Sequence, residues 1–357
     1  MNERLILMIK QPSEPLRNSA IIPNNRTTEV TESHRGLLWR LCASLCALWC
    51  FPAFAQPVWE QLPPLPEPNG GFACGYVYEG IIVIGGTNWR DGKKQWLNKV
   101  HIFEPETKRW QEAKPLQSAA AYGVNLQLDE SHFGFWGGSD GQKPIRSLVP
   151  VAEKGAVWLS MPELPETVVL AAGGSVGQDQ HNLLVGGTND AANLAGLSRS
   201  TYVFGSAGMV RLADYPGKPF ATAASAVVVE ELFVFGGMNY DAEAKLPVNS
   251  SEAYAFSPDK NVWRKLTPLA VPTRGLTAVT LDESHIYIAG GYREDFTAEA
   301  VIYDVKADSY RKALPLPYAA MVGLVKMGDH VYCLGGEDKK QSRTDKFFRI
   351  PVVELLK

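Results

Sequence analysis

The sequence predicts an all-β fold in which six similar four-stranded units close into a ring, which is a β-propeller. Three observations predict it. The first two are a repeated apolar run that ends in Gly-Gly and a repeated aromatic residue further along each unit. The third is that the last unit lacks its fourth strand, while a matching strand occurs near the start of the mature chain. The chain has 357 residues, of which 32 are glycine and 24 proline, and 45% are hydrophobic. This composition favours a large core and many turns.

Each unit contains a short run of β-branched and aromatic residues followed by two glycines. Such a run is typical of a strand buried on both faces. The glycine pairs recur every 45 to 54 residues, a period that indicates a repeat architecture. Their first members are Gly85, Gly137, Gly186, Gly236, Gly290 and Gly335. Paired glycines permit a tight turn where a side chain would clash with the next unit.

An aromatic residue marks the fourth strand of most units. These positions hold Trp110, Trp158, Trp263 and Tyr310, with Val210 in the third and most divergent unit. The last unit has no such strand after residues 347–350, but residues 58–63 around Trp59 match the segment around Trp263. We therefore predict that the N-terminal strand of the mature chain completes the C-terminal unit. Closure of this kind removes the open edge of an incomplete sheet.

The Gly-Gly and tryptophan pattern resembles Kelch repeats over residues 57–357. This resemblance implies a six-bladed Kelch-type β-propeller spanning residues 56–357, with each unit forming one blade.

Residues 1–55 have a different character and predict an N-terminal extension with a signal peptide. A basic flank at residues 34–40 precedes an uncharged apolar run at residues 41–54, which ends in the Ala53-Phe54-Ala55 cleavage site. The run is short for a bilayer span, although a retained membrane anchor is an alternative. We expect a periplasmic or secreted protein with no membrane contact after cleavage. Because the signal lies so far into the chain, the true start codon is hypothesised to lie downstream of Met1.

The net charge limits the classes of binding partner, and the cysteine content bears on disulfide formation. The formal net charge is −3, which predicts neither a nucleic-acid partner nor an anionic membrane surface. Only Cys74 and Cys333 remain after signal cleavage, in the first and last units. Because these units are neighbours in a closed ring, either a disulfide or two buried free thiols is compatible with the pattern. The oligomeric state does not follow from the sequence.

Candidate ligand-binding residues lie where loops should converge on one mouth of the central channel. Glu337 is the only carboxylate directly after a Gly-Gly pair, and Arg343 follows in the same loop. Further candidates for binding an anionic ligand follow other glycine pairs or open third strands; these are Asn88, Asn189, Asn239, Arg293, Arg146 and Arg199. The alternative is that these residues are solvated turn and strand-start positions.

A closer resemblance rests on the Glu337 loop. The segment Gly-Glu-x5-Arg-Thr-Asp at residues 336–345 resembles that of the bacterial sialic acid mutarotases, or N-acetylneuraminate epimerases, which are six-bladed Kelch propellers of the periplasm. Residues 69–73 and 121–124 resemble two further segments of that family. In the family they follow the Glu/Arg blade, whereas here that blade is last, so the order resembles the cyclically permuted mutarotase-like group. Ala120 stands where the family has an arginine.

This resemblance implies an enzyme that interconverts the anomers of a sialic acid or a similar acidic sugar without a cofactor. Glu337 is then the general base and Arg343 holds the sugar carboxylate. The alternative is a non-catalytic Kelch propeller that binds a carbohydrate or a protein, because fold alone does not determine function.

Four histidines precede glycine pairs by five residues: His132, His181, His285 and His330. They fall on separate units, so their side chains are not expected to converge on one ion. The sequence therefore predicts no metal site.

Overall fold

The computed structural model describes residues 58–78, 80–152, 155–156, 163–164, 166–177, 181–191, 193–205 and 208–357. The predicted extension and signal peptide, residues 1–55, lie outside these ranges, and so does Trp158.

Six four-stranded antiparallel sheets are formed by the described residues, one for each Gly-Gly repeat. The strand β1 (Glu60–Gln61) comes first in the chain. The first sheet contains β2 (Ala73–Val77), β3 (Gly80–Ile84), β6 (Val100–Glu104) and β7 (Arg109–Ala113). The second contains β8 (Val124–Gln127), β9 (His132–Trp136), β10 (Leu148–Ala152) and β11 (Gly155–Ala156). The third contains β12 (Ala172–Val176), β13 (His181–Val185), β14 (Thr201–Gly205) and β15 (Gly208–Arg211).

The remaining sheets repeat this order. The fourth contains β16 (Ala224–Val228), β17 (Glu231–Phe235), β20 (Ala253–Ser257) and β21 (Val262–Lys265). The fifth contains β22 (Thr277–Thr280), β23 (His285–Ala289), β24 (Ala300–Asp304) and β25 (Ser309–Lys312). The sixth contains β26 (Met321–Met327), β27 (His330–Glu337) and β28 (Phe347–Pro351), with β1 as its fourth strand.

Two hairpins extend from the second strands of the first and fourth sheets. They are formed by β4 (Thr87–Arg90) with β5 (Lys93–Trp96), and by β18 (Met238–Asp241) with β19 (Leu246–Asn249). The helical segments among the described residues are a 3-10 turn at Leu194–Gly196 and α1 at Val352–Leu356. Within the described ranges, no helix has the length and apolar character needed to cross a bilayer.

The closing strand lies where the sequence predicts it. Glu60 and Gln61 of β1 pair with Arg349 and Phe348 of β28. The Glu60 carboxylate contacts Arg349 Nε at 2.6 Å, and the Trp59 indole N–H donates to the carbonyl of Pro315 at 2.9 Å. The prediction that the chain start completes the C-terminal sheet is therefore confirmed.

Hydrophobic packing between neighbouring sheets holds the ring together. Each of six buried clusters joins two adjacent sheets; one of them unites Ile81 and Phe103 of the first sheet with Leu334 and Phe347 of the sixth. The first strands of the sheets contact one another in the order β2, β8, β12, β16, β22 and β26, and β26 contacts β2. These six strands surround an axial channel. The fold is an all-β propeller.

The glycine pairs adopt backbone conformations that other residues rarely tolerate. Gly335 and Gly336 have φ angles of 52° and 108°, and the other five pairs are also left-handed. A Cβ atom on Gly336 would lie 2.2 Å from the carbonyl oxygen of Met321. The pairs are therefore required by both conformation and space, as the sequence pattern indicates.

The two cysteines are buried free thiols. Cys74 packs in the cluster between the sixth and first sheets, and Cys333 packs between the fifth and sixth. Burial raises the pKa of both thiols to about 12. The free-thiol alternative is thus the one found, and both side chains contribute to packing.

Candidate functional site

A cavity of about 250 Å³ lies at one mouth of the axial channel. Every sheet contributes one residue near the start of its first strand. In five sheets this residue lies two positions before the strand, and in the sixth it is the first residue of the strand; these residues are Gly71, Tyr122, Leu170, Thr222, Gly275 and Met321. Glu337 and Arg343 of the sixth sheet also line it. The cavity continues along the channel into a second one of about 520 Å³, with which it shares Cys74 and Asn125.

A chain of backbone hydrogen bonds runs around most of this mouth. The N–H of Tyr122 donates to the carbonyl of Gly71 at 2.8 Å, and the same bond links Leu170 to Tyr122, Thr222 to Leu170 and Gly275 to Thr222, each at 2.9 Å. All five residues have φ between 55° and 69°. For tyrosine, leucine and threonine this conformation costs of order 1 kcal/mol each, a strain that often accompanies functional sites.

The sixth sheet departs from this pattern. Its first strand begins at Met321 with a register shift between Met321 and Gly323, and its second strand extends through the glycine pair to Glu337, which pairs with Met321. The extension places Glu337 and the following loop at the mouth. The candidate site therefore lies where the sixfold repeat is least regular.

Glu337 and Arg343 form an ion pair in the cavity wall. Their Oε2 and Nη1 atoms are 3.1 Å apart. The Arg343 side chain is only 4% exposed, whereas that of Glu337 is 34% exposed. Glu337 thus has one face toward the open cavity while the guanidinium behind it is enclosed. This geometry leaves the carboxylate accessible to a bound molecule.

Residues of the first two sheets hold the guanidinium. Nε donates to the Thr87 hydroxyl at 3.3 Å, Nη2 donates to the Tyr122 hydroxyl at 3.3 Å, and Nη1 also donates to the Ser342 carbonyl at 2.6 Å. These three hydrogen bonds and the ion pair with Glu337 surround the guanidinium, and one N–H of Nη2 makes no hydrogen bond to a described residue. Gly70 packs against the stem, because a Cβ there would lie 2.4 Å from Cδ of Arg343.

Tyr122 also belongs to the site, although its sequence context predicts no role for it. Its ring lies 4.6 Å from Lys94 Nζ and edge-on to Trp96, both on the β4–β5 hairpin. Burial raises the pKa of the phenol, but the charges of Lys94 and Arg343 and hydrogen bonds with Lys94 and Thr87 outweigh burial and lower it. The family-like segment at residues 121–124 is the sequence feature that could have indicated Tyr122. No sequence feature indicated Lys94.

The other predicted binding residues are not among those that line this cavity. Arg146 donates from Nε and Nη2 to the Leu164 carbonyl, as Asn98 does to Leu116 in the first sheet. This shared bond to the turn before the next sheet explains why both residue types open third strands. Arg199 is exposed at the equivalent place.

The predicted binding residues that follow other glycine pairs also have partners outside the cavity. Asn88 is buried and accepts a hydrogen bond from the Trp89 N–H, and Asn189 is exposed and accepts one from Asn193. Asn239 donates to the Pro219 carbonyl. Arg293 binds the Thr273 hydroxyl and Glu299. These polar groups satisfy local backbone and side-chain partners, so the structure brings together Glu337 and Arg343 but not the remaining six.

The four repeat-derived histidines each begin the second strand of a different sheet. Within the described part of the chain, no group of three or more histidine, cysteine or acidic side chains is arranged to hold a metal ion.

Comparison with known proteins supports the fold and finds partial similarity to a family of enzymes. A Kelch motif matches residues 68–117 and 219–270. N-acetylneuraminate epimerase of Salmonella typhimurium is 29% identical over 178 residues, which is 39% of this chain and 46% of that protein. The same enzyme of Yersinia pestis is 25% identical over 223 residues, or 51% of this chain and 56% of that protein. The fold is thus a Kelch-type β-propeller.

A third relative has a different description. Kelch-like protein 35 of Mus musculus is 26% identical over 283 residues, covering 76% of this chain and 44% of that protein. The chain spans about half the length of the curated relatives that it matches.

Proposed function

We propose that this protein interconverts the anomers of a sialic acid, N-acetylneuraminate, or of a similar acidic sugar. The observation that carries the proposal is the Glu337 carboxylate, which is ion-paired to an enclosed Arg343 and open to the axial cavity. The partial similarity to N-acetylneuraminate epimerases supports the choice of substrate.

Mutarotation requires little of a protein beyond correctly placed proton acceptors and donors. The anomeric hydroxyl loses a proton, the bond between the anomeric carbon and the ring oxygen breaks, and the open form recloses on either face. Glu337 serves as the general base that takes the hydroxyl proton. Its accessible face lets it reach a sugar, and its ion pair with Arg343 holds the carboxylate at the cavity wall.

Two positive charges suit an acidic substrate. One Nη2 N–H of Arg343 has no partner among the described residues, so we propose that it makes a single charge-assisted bond to the sugar carboxylate. Lys94 on the β4–β5 hairpin adds a second positive charge beside Tyr122. The reaction needs no cofactor in this scheme. Export to the periplasm through the predicted signal peptide is part of the same proposal.

The test compares two glutamates that both pair with arginine. Glu337→Gln keeps the shape of the side chain and removes the base, so the exchange between N-acetylneuraminate anomers, measured by saturation-transfer NMR, is expected to fall about 10²- to 10⁴-fold. Glu299→Gln is the matched control, because Glu299 pairs with Arg293 at 2.7 Å outside the cavity and is 66% exposed. Equal exchange rates in wild type and Glu337→Gln would contradict the proposal.

A non-catalytic binding propeller is the second candidate function. The similarity to Kelch-like protein 35, which covers 76% of this chain, favours it. In that case N-acetylneuraminate or a protein ligand binds without faster anomer exchange. Wild-type protein that shows saturation transfer to the sugar but no rate enhancement would establish this alternative.

A further inference from the structure

The phenol of Tyr122 lies on the opposite arm of the same guanidinium that holds Glu337. Nη1 of Arg343 contacts the carboxylate at 3.1 Å, and Nη2 contacts the phenol oxygen at 3.3 Å. Both groups line one cavity. A base and a weak acid are therefore held side by side by one planar group.

This side-by-side arrangement suits the two oxygen atoms that change protonation in mutarotation. The anomeric hydroxyl and the ring oxygen are attached to the same carbon. One must lose a proton while the other gains one. A pair of neighbouring groups, one accepting and one donating, can therefore serve both atoms without moving the sugar.

We propose that Tyr122 is the general acid of this site, an inference that rests on the proposed function. As Glu337 takes the proton of the anomeric hydroxyl, the electron pair of the carbon–oxygen bond moves to the ring oxygen, which takes the phenol proton. The products are the open-chain ketone, a neutral Glu337 and a Tyr122 phenolate. In reclosure the phenolate takes the proton back, the freed oxygen attacks the other face of the ketone, and Glu337 returns its proton to the new hydroxyl.

Hydrogen bonding orients the phenol for this role. The Thr87 hydroxyl donates to the Gly70 carbonyl at 2.9 Å, so its oxygen accepts from the Tyr122 O–H at 3.2 Å and from Arg343 Nε. Without a substrate, the phenol proton is therefore donated to the neutral Thr87 hydroxyl, which a sugar oxygen can replace as acceptor. The phenol oxygen accepts from Arg343 Nη2, a bond that strengthens when the phenol is ionised.

Nearby charges stabilise the phenolate. Lys94 lies over the Tyr122 ring from β5, and Arg343 contacts its oxygen from the sixth sheet. Glu337, the one acidic group among the described residues of the cavity wall, is paired with Arg343. Despite burial, the pKa of Tyr122 is lowered below its usual range, which makes the phenol a better proton donor.

The other described side chains of the cavity wall fit the role less well. Cys74 is the remaining neutral acid, and burial raises its pKa to about 12. Thr222, Thr277 and Asn125 supply hydroxyl and amide groups, which do not ionise in the range where enzymes work. Tyr122 is thus the best proton donor of the described wall.

The experiment measures anomer exchange of N-acetylneuraminate against pH for wild type, Tyr122→Phe and Lys94→Met. In wild type, exchange should fall at alkaline pH as the phenol loses its proton. Tyr122→Phe should lower the maximal rate about 10²- to 10⁴-fold with little change in KM and abolish that alkaline limb. Lys94→Met should move the limb to higher pH, because the phenol loses a neighbouring cation. Tyr292→Phe, which removes a hydroxyl outside the cavity, is the matched control.

The outcomes separate the two proposals. If wild type accelerates exchange and depends on Glu337, but Tyr122→Phe keeps the wild-type rate and alkaline limb, Tyr122 is not the acid and the proposed function stands. If wild type does not accelerate exchange, both are overturned. Should Tyr122→Phe fail to fold, an unmoved alkaline limb in Lys94→Met overturns the assignment on its own.

Discussion

The loops after the glycine pairs of the fifth and sixth sheets both place an arginine beside a threonine and a glutamate. In the fifth sheet the ion pair is exposed to solvent, whereas in the sixth the arginine is enclosed. Each has an arginine whose Nε donates to the hydroxyl of a buried threonine, at 3.0 Å for Arg293 and Thr273 and at 3.3 Å for Arg343 and Thr87. Each arginine also pairs with a glutamate. Arg293 is 29% exposed and its glutamate 66%, whereas Arg343 is 4% exposed.

The position of the glutamate relative to the glycines accounts for the difference. Glu337 directly follows Gly336 and remains in β27, so its carboxylate stays at the channel mouth. Glu299 lies eight positions beyond Gly291 and adjoins the third strand, where its side chain is exposed. One repeat therefore produces a solvated ion pair and another a candidate site from similar residues.

The largest expected difference concerns the two arginines. Arg343→Met should destabilise the fold by about 2 kcal/mol, because it leaves enclosed hydrogen-bonding groups without a donor, and it should lower anomer exchange about 10²-fold or more. Arg293→Met should cost less than about 1 kcal/mol and leave exchange unchanged, since exposed ion pairs contribute little. Thermal unfolding and NMR exchange measure the two effects. Loss of exchange in Arg293→Met would instead support its predicted role in substrate binding.

The next expected effect comes from Gly70→Ala, which removes no polar group. The new methyl would lie 2.4 Å from Cδ and 2.6 Å from Nε of Arg343, so the guanidinium must shift. We expect a loss of about 1–3 kcal/mol in the free energy of unfolding, as for other overpacked sites. In an Arg343→Ala background the same substitution should cost under about 0.5 kcal/mol, because only a 3.3 Å approach to the Gly336 backbone remains. An additive double-mutant cycle would show that Gly70 does not position the arginine.

The smallest expected contrast concerns the threonines. The Thr87 hydroxyl contacts three groups, including Tyr122, whereas the Thr273 hydroxyl contacts the Val271 carbonyl and Arg293. Thr87→Val and Thr273→Val should each reduce the free energy of unfolding by about 1–2 kcal/mol. Only Thr87→Val should reduce anomer exchange and its pH dependence. Equal exchange in the two variants would mean that Thr87 is structural alone.

The repeat pattern was sufficient to predict the architecture because its cause is local. Gly-Gly turns, apolar second strands and the aromatic fourth strand recur in register, and the unmatched segment around Trp59 predicted how the ring closes. The Glu337 and Arg343 pair was also predictable, since both lie in one short loop. Tyr122 and Lys94 were not, because they are 28 positions apart in sequence and more than 200 positions before Arg343.

The sequence by itself determined the strand order, the closing strand and the unusual carboxylate after the last glycine pair, because spacing along the chain controls turns and strand pairing. Only the tertiary structure decided which polar groups meet. Ring closure brings Thr87 and Tyr122 of the first two sheets against Arg343 of the sixth, and the local partners of Arg146, Asn239 and Arg293 hold those side chains away. The physical reason is that a site in a closed ring is assembled from inter-sheet contacts, which sequence spacing does not encode.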